Sequence, residues 1–354
     1  MKKSNIMNNK GCAGGGRHSC NFYDVINIRN LYSAWKEFCR GKRSKIDIAT
    51  FELKLEENLF DLHRQLENES WKPDPYQVFF VRDPKLREIH KASVRDRILY
   101  QAIYQALYPV FDKSFIFHSY SSRQEKGTHL GVRNFNKFLS KVSRNGRISG
   151  YVLKCDIRKF FDSINHEILL NLIKEKIFDK KLFNLIKQII FSFEKTYGKG
   201  LPLGNVTSQL FANIYLNELD QFIKKELKVG YYLRYCDDFV ILDRSKEQLN
   251  YYLEKIRDFC WQNLLLELHP NKVEIRKLHL GTDFLGYVSL FSHTVLRTRT
   301  KKRIFRRLGI LKMEFESGRI EKDKLDHVTN SYLGMLKHCK GEKIKERIKE
   351  IFKI

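Results

Sequence analysis

The sequence predicts an α+β fold in which an antiparallel sheet is backed by helices. Three observations lead there. From residue 151 onward the chain runs strand, helix, strand pair, helix, strand, the order of such a sheet with helices on one face. Residues 231–242, YYLRYCDDFVIL, read as two apolar strands around a short turn carrying Asp237 and Asp238. With 354 residues, 42% hydrophobic and 13% aromatic, the chain can bury a core large enough for two or three subdomains.

Charge narrows the partner class. Lys and Arg total 66 against 41 Asp and Glu, a formal +25 carried by a packed protein, which points to a polyanion such as nucleic acid. Seven cysteines without a CxxC pair argue for a reducing compartment over a disulfide framework. No signal-peptide core and no apolar run of about 18 residues is present, so the expected location is cytoplasmic, away from membranes.

Taken in order, residues 1 to 22 read as a polar, glycine-rich leader. GCAGGG lacks the GK[ST] of a phosphate loop, and Cys12, His18 and Cys20 are too few for a metal site. Helical spacing follows over 22–41 and 47–68, where Leu55, Leu59, Leu62 and Leu66 share a face. VFFV and LREI flank Asp83-Pro84 as a hairpin with Arg82, Lys85 and Arg87 near its tip; a merely solvated tip is the competing reading. A helix with Ile98, Ala102, Leu107 and Phe111 inward comes next, and Arg95, Arg97 and Arg123 mark this region as a candidate nucleic-acid surface.

YVLKCDI, residues 151–157, delivers Asp156 to a strand end, where α/β sites collect ligands. Asp162, Ser163 and Asn165 read as helix caps. A glycine-rich loop, GKGLPLGNVTSQ, then enters a helix, with Gly204 permitting close backbone approach. After the Asp-Asp hairpin come a helix over 246–262, a strand in LLLEL, a turn in HPNKVEI and a strand pair in GTDFLGYVSLF. Between 297 and 307 lie seven basic residues and no acid. Arg299, Arg303 and Arg306 form one helical stripe for phosphate, while Ile304, Leu308, Leu311 and Phe315 form another for packing.

Asp237-Asp238 alone could be an ordinary Asp-rich turn. Together with Asp156, however, they are candidates to hold two divalent ions about 4 Å apart, the arrangement nucleotidyl transfer uses. The motif order then resembles that of reverse transcriptases over residues 72–340: PKLREI, VRDRILYQAIYQAL, SYSSRQEKGTH, CDIRKFFDSINH, LPLGNVTSQLFAN, YCDDF, HPNK and FLGYVSL. The resemblance implies a right-hand polymerase with fingers, palm and thumb. Its parts would be a leader and N-terminal helix over 1–45, fingers over 46–149, a palm over 150–290 with a helical insertion near 165–200, and a basic helical thumb over 291–354.

By the same resemblance, Asp156 and Asp237 are the principal Mg2+ ligands, Mn2+ being an alternative ion, with Asp238 and the carbonyl of Ile157 assisting. Phe161 falls at the steric gate against ribonucleotides. Lys85 and Arg87 match the cations on the dNTP triphosphate, and Lys272 matches a donor to the leaving pyrophosphate. Leu203, Gly204, Ser208 and Gln209 lie beside the templating base and nascent pair.

One departure narrows the family. Most bacterial and group II intron enzymes place Gln before the Gly of LGNVTSQ and end that motif with Pro, whereas here Leu203 and Gln209 stand. That is similar to reverse transcriptases of diversity-generating retroelements, which copy a template-repeat RNA into cDNA with errors opposite adenine and work with a small basic accessory variability protein. The partners implied are template RNA, primer or cDNA, dNTPs and that protein as an oligomer. A group II-like or defence-associated reverse transcriptase of ordinary fidelity is the alternative, and a non-catalytic RNA-binding module is the alternative of another class.

Overall fold

The computed structural model describes residues 20–82 and 85–352. Most of the leader, with Cys12 and His18, and the Asp83-Pro84 turn lie outside the described residues. Two compact units are formed, each from separated stretches of chain.

The first unit takes residues up to 77 together with 92–113 and 173–192, and its described part is helical. The helix expected over 22–41 divides into Phe22–Ile26 and Ile28–Cys39, because Asn27 is extended and caps both ends: its N–H donates to the Tyr23 carbonyl and its side chain accepts from Asn30 N–H. The stretch 47–68 likewise becomes Ile46–Glu52 and Leu55–Glu67, burying Leu59, Leu62 and Leu66. Val94–Asp112 buries Ile98, Ala102, Leu107 and Phe111 as its periodicity predicts. Asp96 on that helix is fully buried and accepts from the Trp71 indole at 3.2 Å and from Asp74 N–H at 2.7 Å.

The second unit takes 78–91, 114–172 and 193–354 and holds the sheets. Strands β1 (Gln77–Arg82) and β2 (Leu86–Lys91) form the expected hairpin. Strands β3 (Tyr151–Asp156), β4 (Tyr232–Tyr235), β5 (Asp238–Asp243) and β6 (Glu274–Lys277) form an antiparallel sheet in the order β4-β5-β3-β6. Strands β7 (Thr282–Phe284), β8 (Tyr287–Ser289) and β9 (Thr294–Leu296) form a small meander.

Four consecutive residues of β5, Phe239 to Leu242, are buried, so this sheet is covered on both faces and not on one as the element order suggested. One cover is the Thr128–Val142 helix, whose Phe135, Leu139 and Val142 pack with Val152, Leu233, Val240 and Leu242. The Lys246–Leu264 helix packs against β3 and β5 as well, and Val206–Gln221 is buried along nearly its whole length.

LLLEL is not the expected strand. Leu265 turns left-handed at φ 50° to end the preceding helix, and only Leu268 then bridges to Ile157. The strand beside β3 comes instead from EIRK, which begins in the last two residues of the segment read as a turn and runs past it. Ile304, Leu308 and Leu311 are buried on the Thr298–Glu316 helix as expected, joining a core with Tyr287, Leu325, Leu336 and Ile348. Phe315 departs from that stripe and is exposed in the helix's final turn.

Candidate functional site

Antiparallel pairing of β3 with β5 makes Asp156 and Asp238 direct register partners, so two motifs far apart in sequence meet at one sheet end. Asp237 precedes β5 in a two-residue turn. Its first residue, Cys236, has φ 57°, the left-handed conformation such a tight connection calls for. The Ile157 N–H donates to the Asp237 carbonyl at 3.3 Å, tying the turn to the end of β3. His269 N–H donates to the Asp156 carbonyl at 2.8 Å, which carries the HPNK segment to the same place. There the Lys272 ammonium lies 2.6 Å from Asp156 Oδ1.

Asp156 has Lys272 as its partner, whereas the two carboxylates of the turn are held in charge-disfavouring surroundings. Burial, then the neighbouring Asp156, pushes the Asp237 pKa upward. Burial pushes Asp238 up to about 6; Lys154 opposes the rise, while Asp156, Asp237 and Asp283 add to it. Asp238 Oδ1 is buried without a hydrogen-bond partner. Among the described residues no three His, Cys, Asp or Glu side chains form a metal cage by themselves. The donor set nevertheless fits Mg2+, which takes hard oxygen ligands and completes its shell with waters and substrate phosphates.

These carboxylates open into a cavity of about 740 Å³, within the usual range for a ligand site. Its wall includes Lys85 and Arg87 from the hairpin, Phe161, Leu203, Gln209 and Lys272. Phe161 is partly buried beside Phe160, with ring centroids 5.5 Å apart. The Leu203 carbonyl accepts from His90 N–H at 3.2 Å, which joins the LPLG loop to β2. Gly204 has φ 117°, and a Cβ there would lie 3.2 Å from Ile89 Cγ2, so glycine suits this approach. Gly204, Ser208 and Ile157 do not line the cavity; Ser208 and Ile157 are buried. Asn165 caps the next helix by accepting from Ile168 N–H at 3.0 Å, whereas Asp162 and Ser163 lie inside the short helix Phe160–Ser163.

The remaining cations divide. Arg299, Arg303 and Arg306 are exposed on Thr298–Glu316. Arg95 instead bonds Asp74, Asp96, Gln65 and the Lys72 carbonyl, and Arg97 holds Asp47 at 2.6 Å and lies over Phe38. Arg123 donates to the carbonyls of Ile116 and Ser119. These three guanidinium groups thus have protein partners within their own units.

Sequence reasoning passed over one buried network. Arg234, on β4, and Asp220, near the end of Val206–Gln221, form a fork with both side chains fully buried. Half of its signal was visible: Arg234 is a charge set inside the apolar run YYLRY, and a buried charge is seldom tolerated without a partner, whereas Asp220 stands among polar neighbours and carries no such mark.

Carboxylates at a sheet end, facing a cavity with a cationic rim, suit transfer of a phosphate-bearing substrate. The chain belongs to the reverse transcriptase family: the family model described as reverse transcriptase (RNA-dependent DNA polymerase) matches residues 75–289. Its α+β architecture is therefore a polymerase fold.

Protein YkfC of Escherichia coli (strain K12) is 26% identical over 281 residues, covering 68% of this chain and 71% of YkfC. The group II intron-encoded protein LtrA of Lactococcus lactis subsp. cremoris is 24% identical over 304 residues, covering 66% of this chain. Only 49% of LtrA is matched, so the chain spans about half the length of that relative. The retron Ec73 reverse transcriptase of Escherichia coli is 27% identical over 197 residues, covering 50% of this chain and 58% of that one. No helix among the described residues is long and apolar enough to cross a membrane.

Proposed function

We propose that this chain is the RNA-directed DNA polymerase of a diversity-generating retroelement, copying a template-repeat RNA into cDNA with frequent errors opposite adenine. The subtype rests on one observation: Leu203 lines the cavity that holds Asp156, Asp237 and Asp238, at the position where the resemblance places glutamine in most relatives. A hydrocarbon side chain packs but offers no hydrogen bond, so a polar check on base geometry is missing.

In this reading residues 46–149 act as fingers, 150–290 as palm and 291–354 as thumb. Asp156 and Asp237 hold Mg2+, assisted by Asp238 and the Ile157 carbonyl. Two such ions, when bound, supply Lewis acidity at the attacking 3′ hydroxyl and at the triphosphate. Lys85 and Arg87 donate to the phosphate oxygens. The Phe161 ring crowds a ribose 2′ hydroxyl and so favours dNTPs. Gln209, with Gly204 and Ser208 behind it, borders the nascent pair, and Lys272 donates a proton to the departing pyrophosphate. Arg299, Arg303 and Arg306 grip the phosphate backbone of the primer–template, and a small basic accessory oligomer is the expected protein partner.

Primer extension on an adenine-containing RNA template, followed by cDNA sequencing, tests both levels. Asp237→Asn should abolish extension, and equal extension by that variant would dismiss the metal assignment. Leu203→Gln should lower misincorporation opposite adenine; an unchanged error profile would dismiss the subtype argument. Similarity to LtrA and the retron Ec73 enzyme favours the second reading, a polymerase of ordinary fidelity, which predicts few such errors in the unmodified protein as well.

A further inference from the structure

The Asp-Asp turn carries a residue in an unfavourable conformation. Cys236 sits at φ 57°, a region that side chains other than glycine adopt at a cost. Its carbonyl accepts from Arg234 Nη1 at 3.1 Å. Arg234 is itself immobilised: Nε and Nη2 reach the two Asp220 oxygens at 2.8 and 2.6 Å, and Nη1 also reaches Asn213 Oδ1 at 3.3 Å. Tyr232 donates to Asp220 Oδ1 at 2.6 Å, and Asn213 donates to the Ser121 carbonyl at 2.9 Å.

A wholly buried ion pair is a poor device for stability alone, because desolvation offsets much of the attraction and apolar residues of similar volume serve as well. A planar fork with a spare arm does something an apolar pair cannot, which is to hold a backbone carbonyl in one place.

We propose that Arg234, braced by Asp220, is a positioning residue for the polymerase reaction: it clamps the Cys236 carbonyl, keeps that residue left-handed and thereby holds Asp237 beside Asp156. Neither Arg234 nor Asp220 lines the cavity, so the pair acts through the turn and not on substrate. The proposal rests on the polymerase reading of the site.

Arg234→Lys keeps a cation for Asp220 but loses the fork, and Cys236→Gly removes the conformational penalty at the turn. With melting curves recorded alongside, Arg234→Lys should lower kcat for primer extension about 10- to 100-fold, the scale of a displaced catalytic group. The KM for dNTP should move by less than about threefold, since Lys85 and Arg87 are untouched. Adding Cys236→Gly to that variant should recover most of the lost rate.

Should Arg234→Lys fail to fold, the volume-matched pair Asp220→Leu with Arg234→Met takes its place and should show the same loss and the same rescue. Variants that extend as well as the unmodified protein, or a folded slow variant that Cys236→Gly does not rescue, would overturn the proposal. An unmodified protein that extends no primer would overturn the reading of the site itself, and this proposal with it.

Discussion

Lys272 offers the most direct test of the electrostatics. Its ammonium lies 2.6 Å from Asp156 Oδ1, on an oxygen that a divalent ion would take, with the two side chains 38% and 19% exposed. An entering ion must displace that ammonium and work against its charge. A pair this open to solvent contributes about 1 kcal/mol or less after screening, and 1.4 kcal/mol corresponds to a factor of about ten in affinity. Lys272→Met should therefore bind Mg2+ up to about fivefold more tightly in nucleotide-free, chelator-stripped protein. Primer extension by the same variant should slow if Lys272 also serves the leaving pyrophosphate. Titration calorimetry at low and moderate salt reads the affinity, and the gap should narrow as salt rises. Unchanged or weaker Mg2+ binding in Lys272→Met would refute the idea that this ammonium competes with the ion.

Two further outcomes follow from the described geometry. Burial pulls the His118 pKa down to about 4, with Lys224 and Lys126 contributing. Between about 4 and the unfolded value near 6.5 the unfolded chain therefore binds more protons than the native protein. The stability held by the neutral imidazole is full above 6.5 and drains as pH falls through that window. His118→Phe should flatten melting temperature against pH there, and parallel curves would refute the assignment. On the basic helix, Arg299→Gln and Arg306→Gln should each reduce the slope of log affinity for primer–template against log salt by roughly one. An unchanged slope in filter binding would remove these arginines from the interface.

Much of the sheet and of the candidate site was legible in the sequence, because both rest on local signals. An apolar run, two aspartates and a second apolar run specify a hairpin by alternation, and Asp156 announces itself as a carboxylate at a strand end. Phe161, Leu203, Gln209 and Lys272 could be named only through motif order, yet the structure brings all four to one cavity with the carboxylates.

The errors were of another kind. LLLEL has the composition of a strand but is claimed by a helix end at Leu265, while polar EIRK is recruited beside β3 by long-range pairing that no local pattern encodes. For Arg95, Arg97 and Arg123 the sequence shows the charge alone, and the protein partners that each of them has come only with the fold.

By itself, then, the sequence determined the strand that ends at Asp156, the two strands and turn around Asp237, the basic balance and which carboxylates are candidates to bind metal, since each depends on near neighbours or on composition. Only tertiary structure decided that Asp156 pairs with Asp238, that Lys272 closes on Asp156, and that Asp220 crosses from a helix to hold Arg234 behind the turn. Register and buried ion pairing are contacts between distant segments. Their energies depend on distance and desolvation, which exist only once the chain has folded.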